Sequence, residues 1–518
     1  MDSSGSKHLL SICSLRTTYR LPMRVVQLSR DPPLTKRAMC GIIRISAEKP
    51  AHPVVRATRH DFFGACMRRH RSSCFAASGL AGVLASACLN AQKPPAIRQL
   101  GPLDRFSADS LASAAEVVAV SGGRAFVNDI TGRRVVLFDS TLTHPIVVAD
   151  TTSATVDAYG SAAASLIRYR GDSALLIAPA SLSMLVLAPN GKVARVMATP
   201  RPNAQALGPG SWGAPGIDAR GRLLYFDGGG NLPGVTMLQP GVEVAADGEI
   251  VDPRFRAAVA AGFIGPSTQH TDSAFIVRVD LATRALDTVT SVRIPKAKRV
   301  LKADANHALV AIETTPDPLP IVDAWAITSD GSVAIVRGRD YHVDWIDGDG
   351  RRSTSPKMPF EWKQVSDAHK ETLIDSAVKA WQATFDRVVE ARRNPGGAGG
   401  SGRGGASGGR GGGGGGAGAA TDMAPNVAVR PALGDLPDYV PPFTEGAARA
   451  DADGNLWVRT TTSVDGRPVY DIVNRRGELV DRVQLPAFRT IAGFGPGVIY
   501  MAVQDKAGIV HLERAKIK

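Results

Sequence analysis

Residues 116–139 read EVVAVSGGRAFVNDITGRRVVLFD. A first run ends at Gly122-Gly123, a second alternates through Ala125 and Val127, and a third runs from Val135 to Phe138. Successive side chains of an extended chain point to opposite sides, so apolar residues at every second position mark strands. Glycine and polar breaks between the runs mark tight turns. The stretch therefore predicts three short antiparallel strands within 24 residues.

The same unit returns along the chain. Residues 166–197 contain LIRYR, SALLIAP and SMLVLAPNGKVARVM, with Asn190-Gly191 as a hairpin signal. IDARGRLLYFD at 217–227 opens a third unit, which FIVRVDLATRALDTVTSVRI at 275–294 completes after a long insertion. Residues 324–350, 448–485 and 493–517 supply three more. Strand, glycine turn, strand, polar break and an outer strand ending in Phe-Asp or Ile-Asp resembles the six-bladed β-propellers of the NHL-like group. Gly123–Asp139, Gly331–Gly350 and Gly454–Gly477 carry the likeness most clearly. The resemblance covers most of residues 98–518 and implies an all-β fold, a six-bladed β-propeller closed around a central channel. It also implies that IRQLGPLDRFS, residues 97–107, adds a strand to the last blade. A seven-bladed propeller and a two-domain β-sandwich are the alternatives.

Two segments depart from the strand pattern. Residues 361–394 form a helical insertion in which Ser366 caps a helix with apolar positions at Ile374, Ala377, Val378, Trp381, Phe385 and Val388. That stripe is expected to pack on the propeller, a partner-binding helix being the alternative. Residues 395–425 are a Gly-rich loop, with 16 glycines in the 25 residues from 396 to 420. Such a tract gains too little on ordering to leave the linker state. Its Gly405-Ala406-Ser407-Gly408-Gly409 matches the hydrolase elbow formally, but that motif needs a strained strand-to-helix turn.

Residues 67–95 form a secretory leader. Arg68, Arg69 and Arg71 precede an uncharged run from Ser72 to Gln92, and small residues suit a peptidase after Ala91. This predicts a signal peptide over 67–91, an upstream extension over 1–66 and the propeller over 97–518. The alternative is a loose lipobox in which Cys88 becomes the lipidated first residue. Charge and cysteine follow the same division. The net charge is +13, yet residues 1–66 hold 11 Lys/Arg against 4 Asp/Glu and residues 67–97 hold 4 against none. The rest holds 46 against 44, so the high net charge belongs to the leader and the extension and gives no support to a basic face for nucleic acid. All 5 cysteines lie before residue 89, which excludes disulfides and cysteine metal sites from the body. The expected location is periplasmic or extracellular, membrane-anchored only in the lipidated alternative, and the chain is expected to be monomeric.

The body carries no compact catalytic motif. Its histidines, His144, His270, His307, His342, His369 and His511, form no H-x-H or HExxH pair. The acidic runs 340–350 and 451–455 read as a strand and hairpin turns rather than calcium loops, because the EF-hand order is absent. Arg337, Arg339 and Tyr341, in a loop between an inner and an outer strand, are the candidate ligand-binding residues, with an Arg–Asp brace as the competing role. The leading expectation is a binding module without cofactor, for an envelope or extracellular protein or a small ligand. The alternative is a calcium-dependent lactonase- or esterase-like hydrolase, with Asp218, Asp227, Asn231 and Asp323 as the residues to inspect for the metal.

Overall fold

The computed structural model describes residues 94–518 apart from 152–157, 161–162, 179–180, 201–206, 208–211, 228–271, 296–297 and 394–424. The leader, the upstream extension, Cys88, Asn231 and nearly all of the Gly-rich tract therefore lie outside the described residues.

Among the described residues the body is all-β with one α-helix, and its strands form repeated antiparallel meanders. The first comprises β3 (Glu116–Ala119), β4 (Ala125–Asp129), β5 (Arg134–Phe138) and β6 (Ile146–Ala149). The next comprises β7 (Ser165–Tyr169), β8 (Ser173–Ala178), β9 (Ser183–Leu187) and β10 (Val193–Ala198). After it come β11 (Gly216–Ile217), β12 (Leu223–Asp227), β13 (Ser273–Val279) and β14 (Leu286–Arg293). Then follow β17 (Ala324–Ile327), β18 (Val333–Arg337), β19 (His342–Ile346) and β20 (Arg352–Thr354). Another sheet holds β22 (Phe443–Ala450), β23 (Leu456–Val464), β24 (Arg467–Val473) and β25 (Leu479–Gln484), with β1 (Ile97–Gln99) added in parallel to β25. The last meander is β26 (Arg489–Gly495), β27 (Val498–Gln504) and β28 (Val510–Lys516), and its outer strand is β2 (Leu103–Phe106) from the other end of the chain.

Period-two alternation here divides each strand between two cores. Val118, Phe126, Val135 and Leu137 face the second meander and pack with Leu166, Leu176 and Leu185. Their neighbours Val117, Val127, Val136 and Phe138 face the last meander and pack with Tyr500 and Leu512. In β12, Leu224 and Phe226 enter one core while Leu223 and Tyr225 enter another. These meanders are thus each sandwiched between two neighbours, the arrangement of a β-propeller. Closure is direct where β26 pairs in parallel with β3, Gly493 opposite Val117 and Phe494 opposite Val118.

Asx turns set many of the hairpins. Oδ1 of Asp218 accepts the N–H groups of Arg220 and Arg222, and Asp347, Asp451 and Asp505 accept at the same two offsets. Three residues after each stands a glycine with positive φ: Gly221, Gly350, Gly454 and Gly508. The side chain replaces a missing backbone partner and glycine accepts the left-handed conformation. These turns also lock neighbouring sheets together. Arg475 donates to Asp330 and Ser332 and lies 4.6 Å over the Trp345 ring, while Arg222 donates to Gly348 O at 3.0 Å.

An accessory unit interrupts the ring pattern: β15 (Lys298–Ala303), β16 (Leu309–Thr315), β21 (Asn426–Ala428) and α1 (Asp367–Arg393). The β15–β16 hairpin has no counterpart in the sequence reading, because its alternating residues look like those of any meander. Ser366 caps α1, its Oγ accepting the His369 N–H at 3.3 Å. Ile374 and Phe385 are buried, and the helix packs on β21 and the turn at Leu433–Asp435. Buried Lys370 ties it to Asp438 at 2.8 Å.

Candidate functional site in the central channel

The inner strands β3, β7, β11, β17, β22 and β26 surround a cavity of about 920 Å³. Most of each inner strand is small or apolar, so its few charged residues decide the chemistry. Glu116 opens β3, Arg168 lies in β7, and Glu445 and Arg449 lie in β22; all four line the cavity.

Glu116 is held by its second layer. Its Oε2 accepts the Leu166 N–H at 2.6 Å and the Asn128 amide at 2.9 Å. Asn128, fully buried, also donates to Ala164 O and accepts the Tyr159 hydroxyl at 2.9 Å. Burial nevertheless raises the Glu116 carboxyl above its ordinary value, outweighing those hydrogen bonds and the nearby Arg449. The same burial pushes the Tyr159 hydroxyl up to about 12.

Glu445 reaches the channel through a backbone irregularity. The pairing of β22 with β23 skips from Phe443 to Ala448, and Gly446 within the skipped segment has φ +66°. A bulge of this kind turns a side chain away from the regular pleat. Among the described residues Glu445 has no hydrogen-bond or ion-pair partner, and desolvation raises its carboxyl. Arg449 likewise has none, and Arg168 donates only to Ala119 O at 2.9 Å. Trp325, 1% exposed, lines the same cavity with its indole N–H unpartnered. The cavity lining thus includes three arginines, Arg168, Arg170 and Arg449, and four carboxyl groups. Asp218 and Asp451 are engaged in their turns and Glu116 by its second layer, while Arg449 and Glu445 carry no hydrogen bond among the described residues. No His, Cys or Lys is among the described lining residues.

A raised carboxyl has a defined consequence for stability. Its proton is bound more tightly in the folded chain, so its contribution is complete below the ordinary carboxylate range and is lost as pH rises through the folded value. Glu116→Gln keeps one oxygen to accept from Leu166 and Asn128. The substitution is expected to stabilise the protein at neutral pH and to remove part of the decline in stability that sets in as pH rises above the ordinary carboxylate range. Urea unfolding of wild type and variant at an acidic and at a neutral pH checks this; an unchanged pH dependence rejects it.

Of the residues singled out in the sequence, Asp218 lines this cavity, whereas Arg337, Arg339, Tyr341, Asp227 and Asp323 are not among its described lining residues. Arg337 is in a brace, 2.7 Å from both Asp323 and Asp344. Tyr341 is fully buried and donates to Asp471 at 2.7 Å, leaving Arg339 as the exposed member of the three. Asp218 is occupied by its turn and by Arg222, and Asp323 also accepts the N–H groups of Arg293 and Gly338. Asp227 stands at the far end of β12 from the Asp218 turn. Among the described residues no three His, Cys, Asp or Glu side chains converge in a metal-binding arrangement. The channel residues escaped the sequence reading because a lone charge in an apolar strand resembles ordinary alternation. The available signal was position: Glu116, Arg168, Glu445 and Arg449 all fall in the first strand of a unit.

No family model matches the chain, and no curated protein matches it. Among solved structures, a gluconolactonase from Xanthomonas campestris aligns at 8% identity over 82% of this chain and 99% of its own, with a TM-score of 0.33. Virginiamycin B lyase from Staphylococcus aureus aligns at 8% identity over 80% and 99%, with a TM-score of 0.31. Regucalcin from Agrobacterium tumefaciens, a calcium-binding protein, aligns at 9% over 82% and 98%, with a TM-score of 0.32. At such identities and scores none of their activities transfers to this chain.

Proposed function

We propose that this chain is an exported, six-bladed propeller of NHL-like type that binds a small polar ligand in its central channel and does not transform it. The observation that carries this reading is the channel itself. Arg449 and Glu445, which have no hydrogen-bond or ion-pair partner among the described residues, line one cavity of about 920 Å³ together with Arg168 and Trp325. Guanidinium groups without internal carboxylate partners suit an anionic group on the ligand, and the Glu116 and Glu445 carboxyls suit a donor on the same molecule. Amino acids, dipeptides and amino sugars bearing an acid combine both.

The test uses protein secreted from Met67, screened by thermal shift against dipeptides, uronic acids and neutral sugars. A zwitterionic or acidic ligand is expected to raise the midpoint of the wild type, and Arg449→Ala to weaken its binding by about tenfold or more. Equal stabilisation of wild type and variant, or none by any class, rejects channel binding. Aldonolactones with and without calcium form a second arm, in which calcium-dependent hydrolysis replaces the binding module by a hydrolase. The intact mass of the secreted product decides the terminus: Gln92 supports a soluble exported domain, and an acylated Cys88 a membrane-anchored one.

A further inference from the structure

A second cavity, of about 390 Å³, lies where the outer strands β9 and β10 meet the turns on either side of β12 and β13. It shares Tyr169 and Arg170 with the channel wall and is otherwise built from different residues. Three arginines line it, Arg170, Arg195 and Arg284, and none has a carboxylate partner among the described residues. That contrasts with nearby arginines. Arg220 pairs with Asp349, Arg222 with Asp218 and Arg278 with Asp287. The acid in the lining, Asp280, has Oδ1 occupied by the N–H groups of Ala282 and Thr283.

Two of the guanidiniums are positioned by backbone. Arg170 lies over Gly221, where a Cβ would stand 1.8 Å from its Nε, and donates to Arg220 O at 2.7 Å. Arg284 has a left-handed backbone, φ +62°, and donates to Ala198 O at 3.1 Å. A non-glycine residue held in that region carries backbone strain, which the surrounding turn must sustain. The remaining wall is apolar: Met184, Met197 and Leu281.

We propose that this cavity is a binding site for an organic anion, a carboxylate on a short apolar body. The guanidiniums receive the carboxylate, and the methionines and Leu281 cover the chain. The site is independent of the channel reading and stands if that reading falls.

Isothermal titration calorimetry of the whole secreted protein with octanoate tests it, with 1-octanol and inorganic phosphate as comparison probes. Octanoate is expected to bind saturably, at least tenfold more tightly than either comparison probe, since each of those lacks half of the recognised chemistry. Arg195→Ala and Arg284→Gly are each expected to weaken octanoate binding about tenfold. Glycine relieves the left-handed backbone at 284, so loss of fold does not explain the second result. Arg351→Ala, on an exposed hairpin turn outside both cavities, is expected to leave octanoate binding unchanged. The proposal is overturned if octanoate does not bind, if both arginine variants bind it like the wild type, if octanol binds equally well, or if phosphate does.

Discussion

A chain lacking residues 97–107 is expected to lose its cooperative fold or to melt at least about 10 °C lower. Those residues supply β1 and β2, and both complete sheets made almost wholly from the other end of the chain. In β2, Leu103 stands opposite Ala515 and Phe106 opposite Glu513. Asp104 accepts from Arg514 at 3.1 and 3.0 Å, and Ser107 exchanges backbone and side-chain hydrogen bonds with Leu512. In β1, Arg98 reaches Asp481 at 2.7 Å and donates to Ile517 O at 2.8 Å. Removing the segment leaves Arg514 without its Asp104 carboxylate and fully buried Gln484 without Gln99. It also bares the edges of β25 and β28. Losing the backbone pairing of two strands together with these side-chain contacts removes a large share of a domain's marginal stability. Chemical denaturation and size-exclusion chromatography check this. A truncated chain with the parental midpoint would mean that the ring holds without its closing strand.

Asp471→Ala is expected to destabilise the protein by about 3–5 kcal/mol, because two buried groups depend on one carboxylate. Asp471 is 1% exposed, 3.0 Å from Arg482 and 2.7 Å from the Tyr341 hydroxyl. Tyr341 belongs to the β18–β19 turn and Asp471 to β24, so the contact joins adjacent sheets. Burial raises the Asp471 carboxyl in spite of both partners, which shows how strongly the site disfavours an isolated charge. Tyr341→Phe is expected to cost only about 1–2 kcal/mol, since the carboxylate keeps Arg482. Replacing Asp471 and Arg482 together by Asn and Met is expected to recover much of the loss seen in Asp471→Ala. A double-mutant cycle by urea unfolding measures the coupling. Additive losses would reduce the triad to separate contacts.

The meanders were legible because two local rules, alternation and turn chemistry, coincide at each hairpin. β4 and β5 appear where Ala125–Val127 and Val135–Phe138 alternate, and the runs at Asp347 and Asp451 are hairpin turns. The place of residues 97–107 was legible only through the resemblance, since nothing local says that Leu103 meets Ala515. The channel was not legible. Arg449 and Arg459 sit in equally alternating strands, and only the inner position of β22 turns the former toward the cavity. Arg337 and Tyr341 drew attention for being charged and aromatic in one loop, and those properties serve the brace and the buried triad instead.

The pairing of β2 with β28 also sets an order of events during synthesis. Asp104 and Arg514 are 410 residues apart, so at roughly 5–20 residues per second the closing strand waits on the order of half a minute or longer for its partner. Over that interval Val127, Val136 and Phe138 have no Tyr500 or Leu512 to cover them. The first meander made is therefore among the last to be sealed. A ribosome paused shortly before residue 490 would hold out nearly the whole ring with an apolar seam open. That pause marks the interval in which a chaperone has most to do for this chain.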